Sequence, residues 1–446
     1  MADIIVVGAG LGGMAAAARL AKLGHHVTVC ERNTAAGGAI RKVKQDGFRW
    51  DAGPTSTTLP AVLRDLFRKS GRPLERYLDL RMRTPARRHV FEDGSAVDLP
   101  TGSRADQRNA IDSELGAGSG RAWTDLVDVQ SHVWDALRRQ VLDVPDGGQR
   151  LGDREVARAL SARTPLARLV KRSLKDERLR LMAGYPFRLY GSELRDVPAY
   201  AAVELYVERN FGVWSPAGGM AGLTDALVTR LAERGVELRL EAEVVSIPTA
   251  DDRVTGVRTL AGNEIHGDVV VTDIDPRAVF RDLVHHRATA EAARYFDQAT
   301  PAIPLGVTYL GVREPVPELP DEVVLHGEPM LVLQTAGAAP EGQHAWTVLR
   351  RGSAQEDVLV TLARRGIDVR EQIVTRLDRS PADVIGETAG SPYGLAWAGW
   401  RRNAVRATLG HPMPGLYCLG AGMHPGASIP YVAWGAANVA ALIGKA

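Results

Sequence analysis

Residues 4–13 read IIVVGAGLGG, an apolar β-branched run that ends directly in closely spaced glycines. The small-residue stretch Met14–Leu23 follows, and a second apolar run, Val27–Cys30, ends at Glu31. A short β-branched run predicts a strand, and an Ala-rich stretch of this length predicts a helix. The N-terminus is therefore predicted to form a strand, a tight turn, a helix and a second strand.

The spacing of Gly8, Gly10 and Gly13 has a physical reason within this frame. The first glycine permits the tight turn, the second lets a pyrophosphate approach the backbone, and the third lets helix and strand pack closely. The positive end of the helix dipole then faces the phosphates. Glu31 is placed to accept hydrogen bonds from an adenosine ribose. These residues predict a dinucleotide site and leave FAD and NAD open.

A second glycine pair, in RNTAAGGAIR at 32–41, predicts another close approach of the backbone to a cofactor. The segment FRWDAGPT at 48–55 alternates apolar and polar residues and then breaks at Gly-Pro. That pattern is typical of a strand that leads into a loop.

The composition of the chain limits the classes of protein to which it can belong. The chain has 446 residues, of which 45% are hydrophobic and 24% charged, as in ordinary globular proteins. Its net charge of +2 is too small for a general attraction to nucleic acid, so no nucleic-acid partner is expected. Cys30 and Cys418 lie in apolar runs without a C-x-x-C motif, which predicts buried thiols and no metal site.

The start of the chain lacks the pattern of a secretory signal, and no run of about 18 uncharged apolar residues occurs. The expected location is cytoplasmic, with peripheral contact at a membrane surface left open. Nothing in the sequence predicts the oligomeric state.

At this point the motifs resemble a known family. The run from Ile5 to Gly38, with DGFRWDAGPTSTTLP at 46–60, resembles the flavin-dependent amine oxidase superfamily, specifically its bacterial-type phytoene desaturase (carotenoid desaturase and saturase) branch. GLYCLGAGMHPGASIP at 415–430 is similar to the signature that carotenoid desaturases and saturases carry there, and WSPAGGM at 214–220 to their central segment. The resemblance spans essentially the whole chain.

The resemblance implies an α/β fold with a Rossmann-like FAD-binding domain of the GR2 type, assembled from discontinuous segments. Residues 1–75, 212–285 and 385–446 are expected to form it. Residues 76–211 and 286–384 are expected to form a substrate-binding domain with a mixed sheet and a helical cap.

Local patterns agree with this division. Residues 120–210 show helical periodicity, and residues 304–350 contain alternating runs that predict strands. The Gly-rich interval 102–120 is predicted to be a mobile loop.

The glycine pattern and the resemblance together predict the FAD-binding residues. They are Gly8, Gly10, Gly12, Gly13, Glu31, Arg32, Gly38, Ala39, Arg41, Gly53, Pro54, Thr55, Val244, Gly420, Gly422, Met423, Ile429 and Pro430. Ala39 stands where the family commonly has Arg or Lys, so Arg41 is the nearest guanidinium. Ala421 corresponds to an acidic residue of the amine oxidases, which favours the desaturase branch.

Two residues are predicted to be catalytic and two to bind substrate. His424 lies in a Met-His-Pro-Gly turn before the C-terminal helix, and the resemblance places that turn beside the isoalloxazine. Tyr431 follows at the helix start, where it faces substrate or is a buried structural tyrosine. Trp214 and Met220 are the predicted substrate-binding residues, with a core position as the alternative for Trp214.

The resemblance implies an FAD-dependent oxidoreductase of the carotenoid biosynthesis type. It would transfer hydride from a C–H bond of an apolar carotenoid, terpenoid or related metabolite to flavin N5. Two alternatives stay open. One is an amine oxidase-like dehydrogenase of a smaller secondary metabolite. The other is a non-enzymatic prenyl- or lipid-binding module similar to Rab GDP-dissociation inhibitors, which would have no need for an intact glycine turn or for Glu31.

Overall fold

A five-stranded parallel sheet carries the glycine-rich turn at its centre. The computed structural model describes residues 1–145, 160, 163–352, 355–397 and 409–446. The strand order in this sheet is Leu416–Cys418, Val269–Thr272, Asp3–Val7, His26–Cys30 and Glu237–Arg239. All four pairings are parallel, so the carboxyl ends of the strands lie along one edge. The predicted N-terminal strands are confirmed, each one residue longer at its start.

Both faces of the parallel sheet are covered, as expected for strands with continuous apolar runs. Ile4 and Val6 face one hydrophobic cluster, and Ile5 and Val7 face the other. The first cluster contains the helix Leu11–Lys22, which begins directly after the glycine turn and packs against Ile429–Ile443. Its alanines at positions 15–18 are fully buried and allow this close approach.

A seven-stranded sheet forms the second large element. Its order is Ile373–Arg379, Gly306–Arg313, Gln343–Arg351, Met330–Gly337, Glu322–Leu325, Arg87–Val90 and Ala96–Leu99. Only Glu322–Leu325 and Arg87–Val90 pair in parallel, and the other neighbours are antiparallel. The strands predicted within 304–350 are confirmed.

Helices predominate between residues 104 and 211. They are Arg104–Leu115, Ser119–Asp128, Gln130–Leu137, Leu166–Ser173, Glu177–Leu189 and Val203–Phe211, with a π-helical segment at Arg138–Leu142 and a 3-10 turn at Ala199–Ala202. The helices predicted within 120–210 are confirmed where the chain is described. Residues 146–159 and 161–162, where more helix was predicted, lie outside the described residues.

The prediction of a loop at 102–120 is wrong, because the helix Arg104–Leu115 occupies most of that interval. The hydroxyl of Ser103 accepts a hydrogen bond from the Asp106 amide at 3.1 Å and caps the helix. Ile111 and Leu115 bury its apolar face. Gly116 ends the helix, and Gly102 precedes its Ser103 cap, so the glycines lie at the boundaries of the helix.

Further helices and small sheets complete the fold. The remaining helices are Pro60–Ser70, Ala221–Glu233, Pro276–Ala278, Ala290–Asp297, Val358–Arg364 and Pro381–Thr388, with 3-10 turns at Leu74–Arg76, Arg287–Thr289 and Arg370–Gln372 and a π-helical segment at Val279–Leu283. Small sheets pair Lys42–Gln45 with Phe48–Asp51, Leu80–Met82 with Trp214–Pro216, Thr249–Ala250 with Arg253–Val254, and Val244–Ser246 with Gly256–Thr259 and Glu264–His266. None of the described helices is long and apolar enough to span a lipid bilayer.

Candidate functional site

A cavity of about 580 Å³ runs from the glycine turn to the seven-stranded sheet. This volume is within the range of small-molecule sites. Its apolar wall includes Leu137, Val141, Leu142, Phe187, Leu189, Ala201, Val203, Val213, Leu305, Val307 and Leu349. The predicted site residues on its surface are Gly10, Gly12, Gly38, Ala39, Arg41, Gly53, Pro54, Gly420, Gly422, His424, Ile429, Pro430 and Tyr431.

The glycines form a bare backbone cradle at one end of the cavity. A Cβ atom on Gly10 would lie 2.6 Å from Oδ2 of Asp273, and one on Gly12 would lie 2.6 Å from Oδ1 of the same residue. Gly8 has φ of +100°, a conformation that L side chains rarely adopt. A side chain at any of these positions would therefore collide with its neighbours or strain the turn.

Glu31 directly follows the strand His26–Cys30 and is buried, with 5% of its surface exposed. Its Oε2 accepts a hydrogen bond from the Ala9 amide at 2.8 Å, and Oε1 accepts from the amide and the side chain of Asn33 at 2.9 and 2.7 Å. The carboxylate thus ties the glycine turn to the second strand, at the distance along the chain where a ribose-binding acid is expected.

Asp273 is the acidic group nearest the cradle. It follows the strand Val269–Thr272 next to the central strand, and its Oδ2 accepts a hydrogen bond from the Gly13 amide at 2.6 Å. Burial raises the pKa of Asp273 to about 7, and the charge of Glu31 adds to this while the Gly13 hydrogen bond opposes it. At neutral pH the carboxyl is therefore close to the midpoint of its titration.

The C-terminal turn brings His424 and Tyr431 to the same cavity. Nε2 of His424 donates to the carbonyl oxygen of Val141 at 3.1 Å. The hydroxyl of Tyr431 donates to Oε1 of Glu204 at 2.5 Å. Burial raises the pKa of Glu204 to about 7, although the hydrogen bond from Tyr431 acts in the opposite direction.

A buried ion-pair network lines the cavity on the side of the seven-stranded sheet. Arg87 donates to both carboxylate oxygens of Glu208 at 2.6 and 2.8 Å and to Oε1 of Glu322 at 2.8 Å. The hydroxyl of Tyr185 also donates to Glu322 Oε1, at 2.9 Å. Burial alone would raise the pKa of Glu322, but the guanidinium groups of Arg87 and Arg83 outweigh it and lower the pKa. The network holds its charges in fixed, paired positions.

Arg41 and Arg32 occupy different environments. Arg41 lines the cavity, donates to the Gly38 carbonyl at 3.1 Å and forms an ion pair with Glu387. Arg32 lies outside the lining and donates to the Gly386 carbonyl at 2.9 Å.

The two predicted substrate-binding residues also lie outside the cavity lining. Met220 is fully buried in the core, and its amide donates to Asp51 Oδ2 at 2.7 Å. Trp214 donates through Nε1 to the Phe211 carbonyl at 2.7 Å.

The other predicted cofactor residues, like Arg32, do not line the cavity. Gly8, Gly13, Glu31, Thr55, Val244 and Met423 are absent from the cavity surface. Thr55 accepts hydrogen bonds from Arg83, while Val244 and Met423 belong to the second hydrophobic cluster.

Several cavity residues were missed by sequence reasoning. They are Glu204, Asp273, Arg87, Glu208, Glu322, Tyr185, Tyr190 and Tyr393. The sequence could have indicated Asp273 as a site residue, since it directly follows the apolar run Val269–Thr272. The others lie within helices, strands or loops without a motif. Within the described ranges, no three His, Cys, Asp or Glu side chains come close enough to share a metal ion.

The sequence profile of the flavin-containing amine oxidoreductases matches residues 11–428. The chain belongs to this family. It is therefore an FAD-dependent oxidoreductase with the α/β fold that the sequence predicted, and FAD rather than NAD is its cofactor.

Curated relatives cover nearly the whole chain. The chain is 27% identical to 4,4'-diapolycopene oxygenase of Methylomonas sp. over 96% of its length and 95% of the relative. It is 29% identical to hydroxyneurosporene desaturase of Cereibacter sphaeroides over the same shares of the two chains, 96% and 95%. The resemblance to carotenoid desaturases stated from the motifs is confirmed.

Solved structures share the fold at lower identity. A putrescine oxidase triple mutant superposes with a TM-score of 0.72 at 16% identity, covering 99% of this chain and 98% of the other. Cyclohexylamine oxidase from Brevibacterium oxydans superposes with a TM-score of 0.67 at 16% identity, covering 99% of both chains.

The residues present fit FAD at the glycine end of the cavity. Backbone atoms of Gly10, Gly12 and Gly38 line a space that a Cβ atom would narrow, and the helix Leu11–Lys22 begins there. Such an end suits a pyrophosphate, and Glu31 suits a ribose. When bound, FAD supplies a two-electron hydride acceptor. The protein contributes binding, orientation and exclusion of water.

Proposed function

We propose that the protein is a desaturase or dehydrogenase that removes hydride from a C–H bond of an apolar carotenoid, terpenoid or related metabolite. The observation that carries this proposal is the continuity of one cavity, which joins the glycine cradle to a largely apolar wall. An apolar chain bound along that wall lies next to the cofactor with water excluded. The names of the two carotenoid-modifying relatives support the same substrate class.

Site residues and domain boundaries are part of this proposal. Residues 1–75, 212–285 and 385–446 would bind FAD, and residues 76–211 and 286–384 would bind substrate. His424 and Tyr431 are proposed to lie between the two ligands, because they line the cavity and come from the turn and the helix start that follow the glycines of the C-terminal motif.

Anaerobic bleaching of the bound flavin tests the substrate class. The purified holoenzyme is mixed with acyclic carotenes, with terpenes and with aliphatic amines, and flavin absorbance is followed. We expect the carotenes or terpenes to bleach the flavin and to gain conjugated double bonds. Bleaching by amines alone would establish the C–N alternative, and binding of prenyl lipids without any bleaching would establish the non-enzymatic one.

We also infer transient contact with membranes, since carotenoids dissolve in lipid and not in water. Sedimentation with liposomes, with and without dissolved carotene, tests this contact. Equal recovery of the protein in the supernatant with and without liposomes would contradict it.

A further inference from the structure

Six carboxylates among the described residues line the cavity, and five of them have a cation or a backbone amide as partner. Arg87 binds Glu208 and Glu322, Arg41 binds Glu387, Arg277 binds Asp275, and the Gly13 amide donates to Asp273. Glu204 is the exception. Its hydrogen-bond partner in the described part of the chain is the hydroxyl of Tyr431.

Two distant elements position this pair. Glu204 lies in the first turn of the helix Val203–Phe211, and Tyr431 lies in the first turn of Ile429–Ile443. The 2.5 Å hydrogen bond uses Oε1 of Glu204, so Oε2 is available to a ligand in the cavity. His424 and the glycine cradle line the same cavity.

The surroundings suit this carboxyl to proton transfer. Burial raises the pKa of Glu204 to about 7, with the nearby charge of Glu208 adding and the Tyr431 hydrogen bond opposing. The other titratable groups facing the pair are Tyr190 and Tyr200. Burial raises the pKa of Tyr190 above its usual value, so this hydroxyl stays neutral at this pH. A general base is most effective when its pKa is close to the working pH.

We infer that Glu204, positioned by Tyr431, accepts the proton that the substrate loses when two of its carbon atoms become double bonded; this inference rests on the proposed function. One C–H bond gives up hydride, and the oxidant that gains this electron pair is the flavin cofactor. The adjacent C–H bond gives its proton to Oε2 of Glu204. The electron pair left by that proton becomes the new π bond, so atoms and charges balance.

Flavin reduction in the holoenzyme, measured by stopped flow with a carotene or terpene, tests the inference across neutral pH. In the wild type we expect the rate to rise with pH through a midpoint near 7, because only the carboxylate accepts a proton. Glu204→Gln should be slower by about 100-fold at alkaline pH and should lose the pH dependence. Glu114→Gln, an exposed position on the helix Arg104–Leu115, is the control and should match the wild type.

Two further readouts separate proton transfer from a structural role. Tyr431→Phe removes the hydrogen bond that lowers the pKa of Glu204, so the midpoint should move to higher pH. Infrared spectra of substrate-free holoenzyme are compared as the wild type minus Glu204→Gln, so that the band of Asp273, whose pKa is also about 7, is present in both proteins and cancels. The difference should show a carboxylic acid band that disappears as pH rises through about 7.

The outcomes separate the two proposals. Wild-type rates and pH profile in Glu204→Gln overturn the inference while the proposed function stands. If that variant does not fold, an unchanged midpoint in Tyr431→Phe overturns it equally. A wild type that oxidises no carotene or terpene overturns the proposed function, and the inference falls with it.

Discussion

At the scale of single residues, Asp273 opposes an anionic ligand at the glycine turn. Its carboxyl accepts a hydrogen bond from Gly13 and lies within 3 Å of the positions that side chains at Gly10 and Gly12 would take. A pyrophosphate held by the same turn would face this group. The neutral form of Asp273 is therefore the one compatible with tight FAD binding.

FAD affinity should consequently depend on pH. Above a pKa of about 7 the carboxyl of Asp273 ionises, and affinity should fall by up to about tenfold per pH unit. Asp273→Asn keeps an acceptor for Gly13 but cannot ionise, so its affinity should be higher above neutral pH and constant. Titration of apoprotein with FAD, followed by flavin fluorescence, measures this. Asp268→Asn, exposed before the same strand, should behave as the wild type, and a pH-independent wild type would contradict the prediction.

Glu31 is expected to strengthen FAD binding, whereas ionised Asp273 is expected to weaken it. Glu31→Ala is expected to weaken FAD binding by about 1.5–3 kcal/mol, the range for a hydrogen bond to a charged group. Equilibrium dialysis measures the loss. Glu237→Ala, an exposed acid on the neighbouring strand that pairs with Arg239, is the matched control. Equal affinities in both variants would remove Glu31 from the site.

At the scale of elements, a feature can be predicted from the sequence when the residues that specify it lie close together in the chain. The strand, turn and helix at residues 3–22 could be predicted because glycine spacing and β-branched runs act locally. The helix Arg104–Leu115 differs from the loop that the sequence predicts, because glycines flank it and its apolar face is weak. The pairing of Glu204 with Tyr431 spans 227 residues and has no motif, so only the packed structure reveals it.

The strand Arg87–Val90 offers a matched pair of arginines for a stability test. Arg87 is buried with Glu208 and Glu322, while Arg88 pairs with Asp98 on the exposed face. Arg87→Met should lower the free energy of unfolding by about 3–5 kcal/mol, because it leaves buried carboxylates unpaired. Arg88→Met should cost no more than about 1 kcal/mol. Urea denaturation measures the free energy of unfolding of both variants. Similar losses in the two variants would show that the buried ion pairs of Arg87 stabilise the fold no more than the exposed ion pair of Arg88.

At the scale of the whole molecule, two sheets built from distant segments share one cavity. The carboxyl edge of the parallel sheet supplies the glycine cradle, and the face of the seven-stranded sheet supplies the far wall. In the proposed function, this arrangement separates cofactor binding from substrate binding. The cradle would bind FAD through backbone atoms, and the far wall would bind the substrate through the shape of its side chains. Substitutions on the far wall should therefore change substrate binding without changing cofactor binding.

Leu349 is the position that tests this separation. It lies on the strand Gln343–Arg351, is partly buried, and lines the cavity beside the cluster that contains Tyr185 and Leu305. Leu349→Trp adds volume where we place the substrate, so KM for the apolar substrate should rise by about tenfold or more at unchanged FAD content. Leu349→Ala widens the same place and should admit bulkier substrates. Steady-state kinetics and the ratio of flavin to protein absorbance measure both effects. Loss of FAD from the Trp variant would show that the cofactor reaches the seven-stranded sheet, and the two ends of the cavity would then not be separate sites.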